Sequence, residues 1–165
     1  MMLKFTKYSS LCLFTAAWFA SADIHGHVVR VLDGDTVEVL EPGNRLTRVR
    51  LAGIDAPEKS QPFGQRSRQA LTALTADKSV HVSGSTQDRY GRLLGTIWSD
   101  TTDINAVQVK TGMAWAYRYH DRASVAEYVG LERLARESRS GLWADPSPVE
   151  PWRWRTMKKG GQASH

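Results

Sequence analysis

Three short β-favouring runs, separated only by tight turns, constrain this chain more than any other feature. Residues 27–32 (His-Val-Val-Arg-Val-Leu), 36–40 (Thr-Val-Glu-Val-Leu) and 45–51 (Arg-Leu-Thr-Arg-Val-Arg-Leu) are too short and too β-branched for helices. Asp33-Gly34-Asp35 and Glu41-Pro42-Gly43-Asn44 stand between them as turn chemistry. Consecutive strands joined this way predict a meander. Under period-two alternation Arg48 and Arg50 share one face of the third strand. The connections deliver Asp35 and Asp55 from two separate corners, which can converge at one end of a sheet.

The texture then changes. Phe63, Ala70, Leu71 and Leu74 recur at helical spacing. Residues 79–83 return to strand alternation, Asp88-Arg-Tyr-Gly91 is a turn, and residues 92–98 form a fifth strand. Within that strand Gly95 marks a bulge or a close backbone approach. Asp103 is a candidate N-cap for a helix over 104–111, with Gly112 as its stop. An aromatic segment with Trp115, Tyr117 and Tyr119 follows. Ser124-Val-Ala-Glu127 has the form of a capping box opening a last helix that Gly141 ends, with Leu131, Leu134 and Ala135 as its buried stripe. Trp143 is expected to pack back on the body. Five strands, one helix between the third and fourth, and further helices describe an α+β domain over residues 23–146. Its expected form is a five-stranded OB-type barrel with about three helices. Beyond it, residues 147–165 read as a proline-, tryptophan- and lysine-rich tail. Trp152 and Trp154 are expected to dock on the barrel or touch nucleic acid, and disorder is expected after Thr156.

The first 22 residues read as a secretory signal peptide. Lys4 and Lys7 precede a mostly apolar run, and Ala20-Ser21-Ala22 is a small-residue cleavage pattern. The apolar run falls short of the ~20 residues that cross a bilayer. The expectation is a secreted or periplasmic protein without a membrane span after cleavage, and a monomer. Cys12, the one cysteine, lies in this leader, which leaves the mature chain no disulfide, thiolate ligand or cysteine nucleophile. The formal charge of +5 fits a polyanionic partner but decides nothing alone. Cleavage after Ala22 would expose Asp23-Ile24-His25, the donor set of a square-planar Cu(II) or Ni(II) site.

Chemistry concentrates around Arg50-Leu-Ala-Gly-Ile-Asp55-Ala-Pro-Glu58, where Pro57 holds two carboxylates in one restrained turn. With Asp35 from one corner and Arg92 from Asp88-Arg-Tyr-Gly-Arg92, these residues offer carboxylates for a hard cation, a carboxylate base and two guanidiniums. That set suits phosphodiester cleavage. Each piece alone has a plainer reading: Asp33-Gly34-Asp35 as a hairpin turn, the arginines as surface ion pairs. The acidic turn is not an EF-hand, because the sixth position from Asp33 is Glu38 and the twelfth is Asn44.

Together these motifs, with Asn105 and Gly-Leu-Trp143, resemble the staphylococcal (micrococcal) nuclease family, also called thermonucleases, from about Val28 to Trp143. The resemblance implies that Asp35 and Asp55 bind Ca²⁺ through carboxylates and Ala56 through its carbonyl. Glu58 would be the base or orienting group for the attacking water. Arg50 and Arg92 would bind the scissile phosphate, and Tyr90, Tyr117 and Arg89 the nucleotide. The Tyr117 correspondence spans a one-residue gap, and the loop over 59–64 is shorter than in the best-known member. Cleavage of DNA and RNA, single-stranded or locally melted by preference, with 3′-phosphate ends, follows from the same resemblance. The rival readings are a nucleic-acid-binding barrel without catalysis and an envelope interaction module.

Overall fold

The computed structural model describes residues 23–162, with side chains through Gly160. The expected signal peptide lies outside the described residues. Strands β1 (Ile24–Asp33), β2 (Thr36–Glu41) and β3 (Arg45–Leu51) form the antiparallel meander. Gly34 sits in the first turn, where an added Cβ would lie 1.8 Å from the Ser67 hydroxyl oxygen. Gly43 and Asn44 turn the second with positive φ angles of 78° and 59°.

A short strand β4 (Ile54–Asp55) precedes helix α1 (Gly64–Thr75), and then β5 (Ser79–Gln87) and β6 (Leu93–Ser99) follow. The β5 strand pairs antiparallel with β1 and with β6, while β3 runs parallel to β6 through Val49↔Leu93, Arg50↔Leu94 and Leu51↔Gly95. That parallel seam closes a five-stranded barrel in the order β3-β2-β1-β5-β6, with β7 (Thr102–Asp103) beside β6. Alternation explains the interior. Val37, Val39, Val49, Leu51, Val80, Val82, Leu93 and Ile97 are buried, and Leu71 of α1 packs with them.

The α2 helix (Ile104–Lys110) starts as expected, with the Asp103 carboxylate accepting from the Ala106 amide at 2.9 Å. Strand β8 (Trp115–Ala116) pairs with β4, and β9 (Arg118–Tyr119) forms a small hairpin with β10 (Arg122–Ala123). The α3 helix (Ala126–Glu137) departs from expectation at both ends. Val125, not Ser124, stands at its N-cap, and the Ser124 hydroxyl instead donates to the Tyr117 carbonyl at 3.3 Å. At the other end Gly141, with φ 57°, opens a 3₁₀ turn (Gly141–Ala144) rather than closing α3.

Of the expected buried stripe of α3, Ala135 is buried and Leu131 packs on the core, but Leu134 is not part of it. Leu134 is 51% exposed, while Tyr128, Glu132 and Ala135 are buried. Glu132 takes an inward position because its carboxylate accepts from the Ala116 amide (2.7 Å), Arg118 (3.0 Å) and Arg136. Apolar periodicity cannot anticipate a buried acid.

The tail is ordered where disorder was expected. Helix α4 (Pro151–Gln162) runs past Thr156 and makes a fourth α-helix rather than a third. Pro151 suits a first helical position, and Lys158 and Lys159 suit the carbonyl end. Trp152 docks edge-on against Trp115 with ring centroids 5.7 Å apart, and Trp115 meets Trp143 at 4.3 Å. These indoles, with Ala135 and Leu142, form a second small core. Among the described residues no helix is long and apolar enough to cross a membrane.

Candidate active site

Three backbone anchors place the acidic turn that follows β3. The Ala52 amide donates to the Gly95 carbonyl and the Tyr117 amide to the Gly53 carbonyl, both at 2.8 Å. Gly53 needs to be glycine: its φ is 76°, and a Cβ there would lie 2.6 Å from Val125. Buried Asn105 supplies the third anchor, donating to the Ala52 (2.9 Å) and Gly95 (3.1 Å) carbonyls and accepting from the Ile97 amide (3.2 Å). The β1–β2 turn is fixed similarly, with Gln108 donating to the Gly34 carbonyl at 2.8 Å. The Asp33 carboxylate accepts from the Asp35 amide at 3.1 Å.

These constraints bring the two acidic corners together. Asp35 accepts from the Ala56 amide at 2.6 Å and from the Thr36 hydroxyl at 3.1 Å. One nitrogen, Arg50 Nη2, reaches both Asp35 Oδ2 (3.1 Å) and Asp55 Oδ1 (3.0 Å). The other, Arg50 Nη1, donates to the Leu51 and Ile54 carbonyls at 2.9 and 3.0 Å. Both acids are buried, Asp55 to 1% exposure. Burial pushes the Asp35 carboxyl up to about 6 against the pull of Arg50, and burial likewise raises Asp55.

Arg92 approaches from the far side of the seam. The Asp88 carboxylate accepts from its Nε at 2.7 Å and its Nη2 at 2.6 Å, and also from the Tyr90 and Arg92 amides. Tyr90 is 68% exposed, so it is not the packing residue that aromatic character alone would suggest. The guanidiniums of Arg89 and Arg92 lie 4.9 and 5.4 Å from its ring centre. Asp35, Arg50, Asp55, Ala56, Glu58, Arg89, Tyr90, Arg92 and Tyr117 all line one cavity of about 610 Å³.

Sequence reasoning missed two residues of this cavity. Asp88 was legible as the aspartate that opens the turn Asp88-Arg-Tyr-Gly91, beside Arg92. Arg155 was not. Arriving from α4, it donates to Asp55 Oδ2 at 2.8 Å, to Asp55 Oδ1 at 3.2 Å and to Glu58 Oε1 at 2.7 Å. A contact across about a hundred residues leaves no local signal.

Among the described residues, no group of three or more His, Cys, Asp or Glu side chains is arranged as a metal cage. The expected set, however, has only two side-chain ligands. Three carboxylates, Asp35, Asp55 and Glu58, meet only two guanidiniums, Arg50 and Arg155, and their oxygens suit a hard divalent cation. At the start of β1, Ile24 and His25 pair with Val82 and His81, so the backbone of the supposed copper or nickel site belongs to the sheet.

A barrel closed by a parallel seam, with acids and arginines gathered at one of its ends, defines the class, and comparison with known proteins gives the family. Residues 48–145 match the Staphylococcal nuclease homologue family, and the chain belongs to it. It is 48% identical over 159 residues to a micrococcal nuclease of Shigella flexneri, covering 90% of this chain and 88% of the relative. Protein ParB of Escherichia coli is 47% identical over 156 residues, 89% of this chain and 88% of its own length. An uncharacterized endonuclease of Escherichia coli O157:H7 is 44% identical over 154 residues, 92% of this chain and 99% of its own.

Proposed function

We propose that this cavity is the catalytic centre of an exported, calcium-dependent nuclease that cleaves DNA and RNA with little sequence preference. The protein is a phosphodiester hydrolase of the staphylococcal nuclease type. One observation carries the reading: Asp35, Asp55, Glu58, Arg50 and Arg92 line a single cavity in a chain of this family.

The chain's own residues divide the work. Glu58, partly exposed at the cavity, takes the proton of the water that attacks phosphorus. Arg50 and Arg92 neutralise the charge that grows on the phosphoryl oxygens, and Arg92 is held ready by Asp88. Tyr90, open to solvent between two guanidiniums, offers a stacking face to a base, with Arg89 beside it and Tyr117 on the cavity wall. Asp35 and Asp55, with the Ala56 carbonyl, would hold the calcium ion, which supplies Lewis-acid polarisation of the phosphate. Contacts to phosphate and to a stacked base carry little sequence information, and a stacked base favours single or locally melted strands. Departure of the 5′-oxygen leaves 3′-phosphate ends. Residues 1–22 act as the export leader, and the mature protein works as a monomer.

The test uses purified mature protein with single-stranded and duplex DNA and RNA, in calcium or in EGTA, beside Glu58→Gln. Calcium-dependent cleavage by the wild type is expected, with products that resist polymerase extension until phosphatase treatment. Binding without cleavage by both proteins would instead make the barrel a passive nucleic-acid module.

A further inference from the structure

Helix α4 is attached to the domain unevenly. Its entry is fixed: Gln61 Nε2 donates to the Val149 carbonyl at 2.6 Å, Pro151 is buried, and Trp152 packs on Trp115. Beyond Pro151 no residue through Gly160 is fully buried, and Arg153 and residues 155–160 are exposed. On the side facing the cavity, Lys158 donates to the Ser60 hydroxyl at 2.7 Å and Arg155 grips Asp55 and Glu58. Apart from half-buried Trp154, this half of the helix meets the body through the polar contacts of Arg155 and Lys158.

Arg155 covers both oxygens of Asp55 with its fork and adds Glu58 Oε1. Those are the atoms that a divalent cation and an attacking water would need. Three carboxylates, Asp35, Asp55 and Glu58, face two guanidiniums, Arg50 and Arg155. Arg50 is fastened by the Leu51 and Ile54 carbonyls and its side chain is 15% exposed, whereas that of Arg155 is 42% exposed and lies on the exposed half of α4. When a doubly charged ion enters, one guanidinium becomes surplus, and Arg155 is the one free to leave.

We propose that Arg155 is a built-in competitor for the divalent cation, so that α4 is a strap across the cavity that cation binding releases. The proposal rests on the reading of Asp35 and Asp55 as the cation's ligands. An ion that binds only the unstrapped state shifts the population toward it, and the strap in turn weakens the ion's apparent affinity by the same factor. Once released, Asp55 and Glu58 are open and the cavity mouth is uncovered.

Two measurements without nucleic acid test this. Isothermal titration of Ca²⁺ into the wild type, Arg155→Gln, Arg155→Lys and Asp55→Asn reads the competition. Removing the competitor is expected to tighten Ca²⁺ binding by about tenfold in Arg155→Gln. Arg155→Lys, which keeps the charge but loses the fork, is expected to fall between Arg155→Gln and the wild type. Hydrogen exchange followed by mass spectrometry reads the strap: Ca²⁺ is expected to speed exchange over residues 153–160 in the wild type.

If Asp55→Asn abolishes binding while Arg155→Gln binds no tighter than the wild type, the strap is overturned and the cation site stands. Unchanged exchange in α4 at saturating Ca²⁺ also overturns the strap. If no protein of the set binds Ca²⁺, and Asp55→Asn makes no difference, the strap and the calcium reading both fall.

Discussion

In the proposed mechanism Glu58, Arg50 and Asp88 carry three distinct chemical duties, and each can be removed separately. Glu58→Gln keeps the shape but loses the proton acceptor, so the cleavage rate is expected to fall by about 10²–10⁴ with little change in melting temperature. Arg50→Lys cannot span two carboxylates and two carbonyls with one ammonium. Its rate at saturating calcium is expected to drop about 10²–10³-fold, measured on a single labelled oligonucleotide. Asp88 titrates below the ordinary aspartate range. Burial pushes it up, but hydrogen bonds from the Arg92 side chain and from the Arg92 and Tyr90 amides outweigh that. A depressed carboxyl adds stability above its unfolded pKa and loses it as the pH falls through the folded one. Asp88→Asn should therefore melt lower than wild type at pH 7. The gap should close as the pH drops below about 4, as calorimetry across that range would record.

At the scale of elements, the site depends on how turns are pinned. Asn105 is the clearest case, because one buried amide joins α2, β6 and the turn before β4. Asn105→Ala takes this partner from the Ile97 amide and the Ala52 carbonyl, leaves the Gly95 carbonyl with the Ala52 amide, and is expected to destabilise by about 3 kcal/mol in urea unfolding. The strands were readable because valine and leucine alternate between breaker residues, and the helix cap at Asp103 because it is a local hydrogen bond. The boundaries of α3 were not readable, since the Ser124 hydroxyl is taken by the Tyr117 carbonyl rather than by a helix amide. Nor was the acid on its inner face, because Glu132 is held by Arg118 and the Ala116 amide from outside the helix as well as by Arg136 one turn along it. The acids and arginines of the cavity could be named from motifs, but the hold of Arg155 on Asp55 could not. Local pattern records what a segment prefers, and these departures come from tertiary partners, from seven residues away for Ser124 to a hundred for Arg155.

For the whole molecule, the parallel seam between β3 and β6 joins stability to site assembly. Gly95 lies in it, and an added Cβ would come 2.7 Å from Val82 Cγ1 and 3.0 Å from the Ser83 carbonyl oxygen. Gly95→Ala is expected to destabilise by about 1–3 kcal/mol through overpacking. In denaturant its activity and its tryptophan fluorescence should disappear along one curve if barrel and site melt as a unit. Arg50 and Leu94 are neighbours across this seam, and Arg92 enters just ahead of it. The proposed cutting centre thus comes into being only when the cylinder shuts. A chain whose seam has not closed is therefore expected to leave nucleic acid uncut, so that folding itself arms the enzyme.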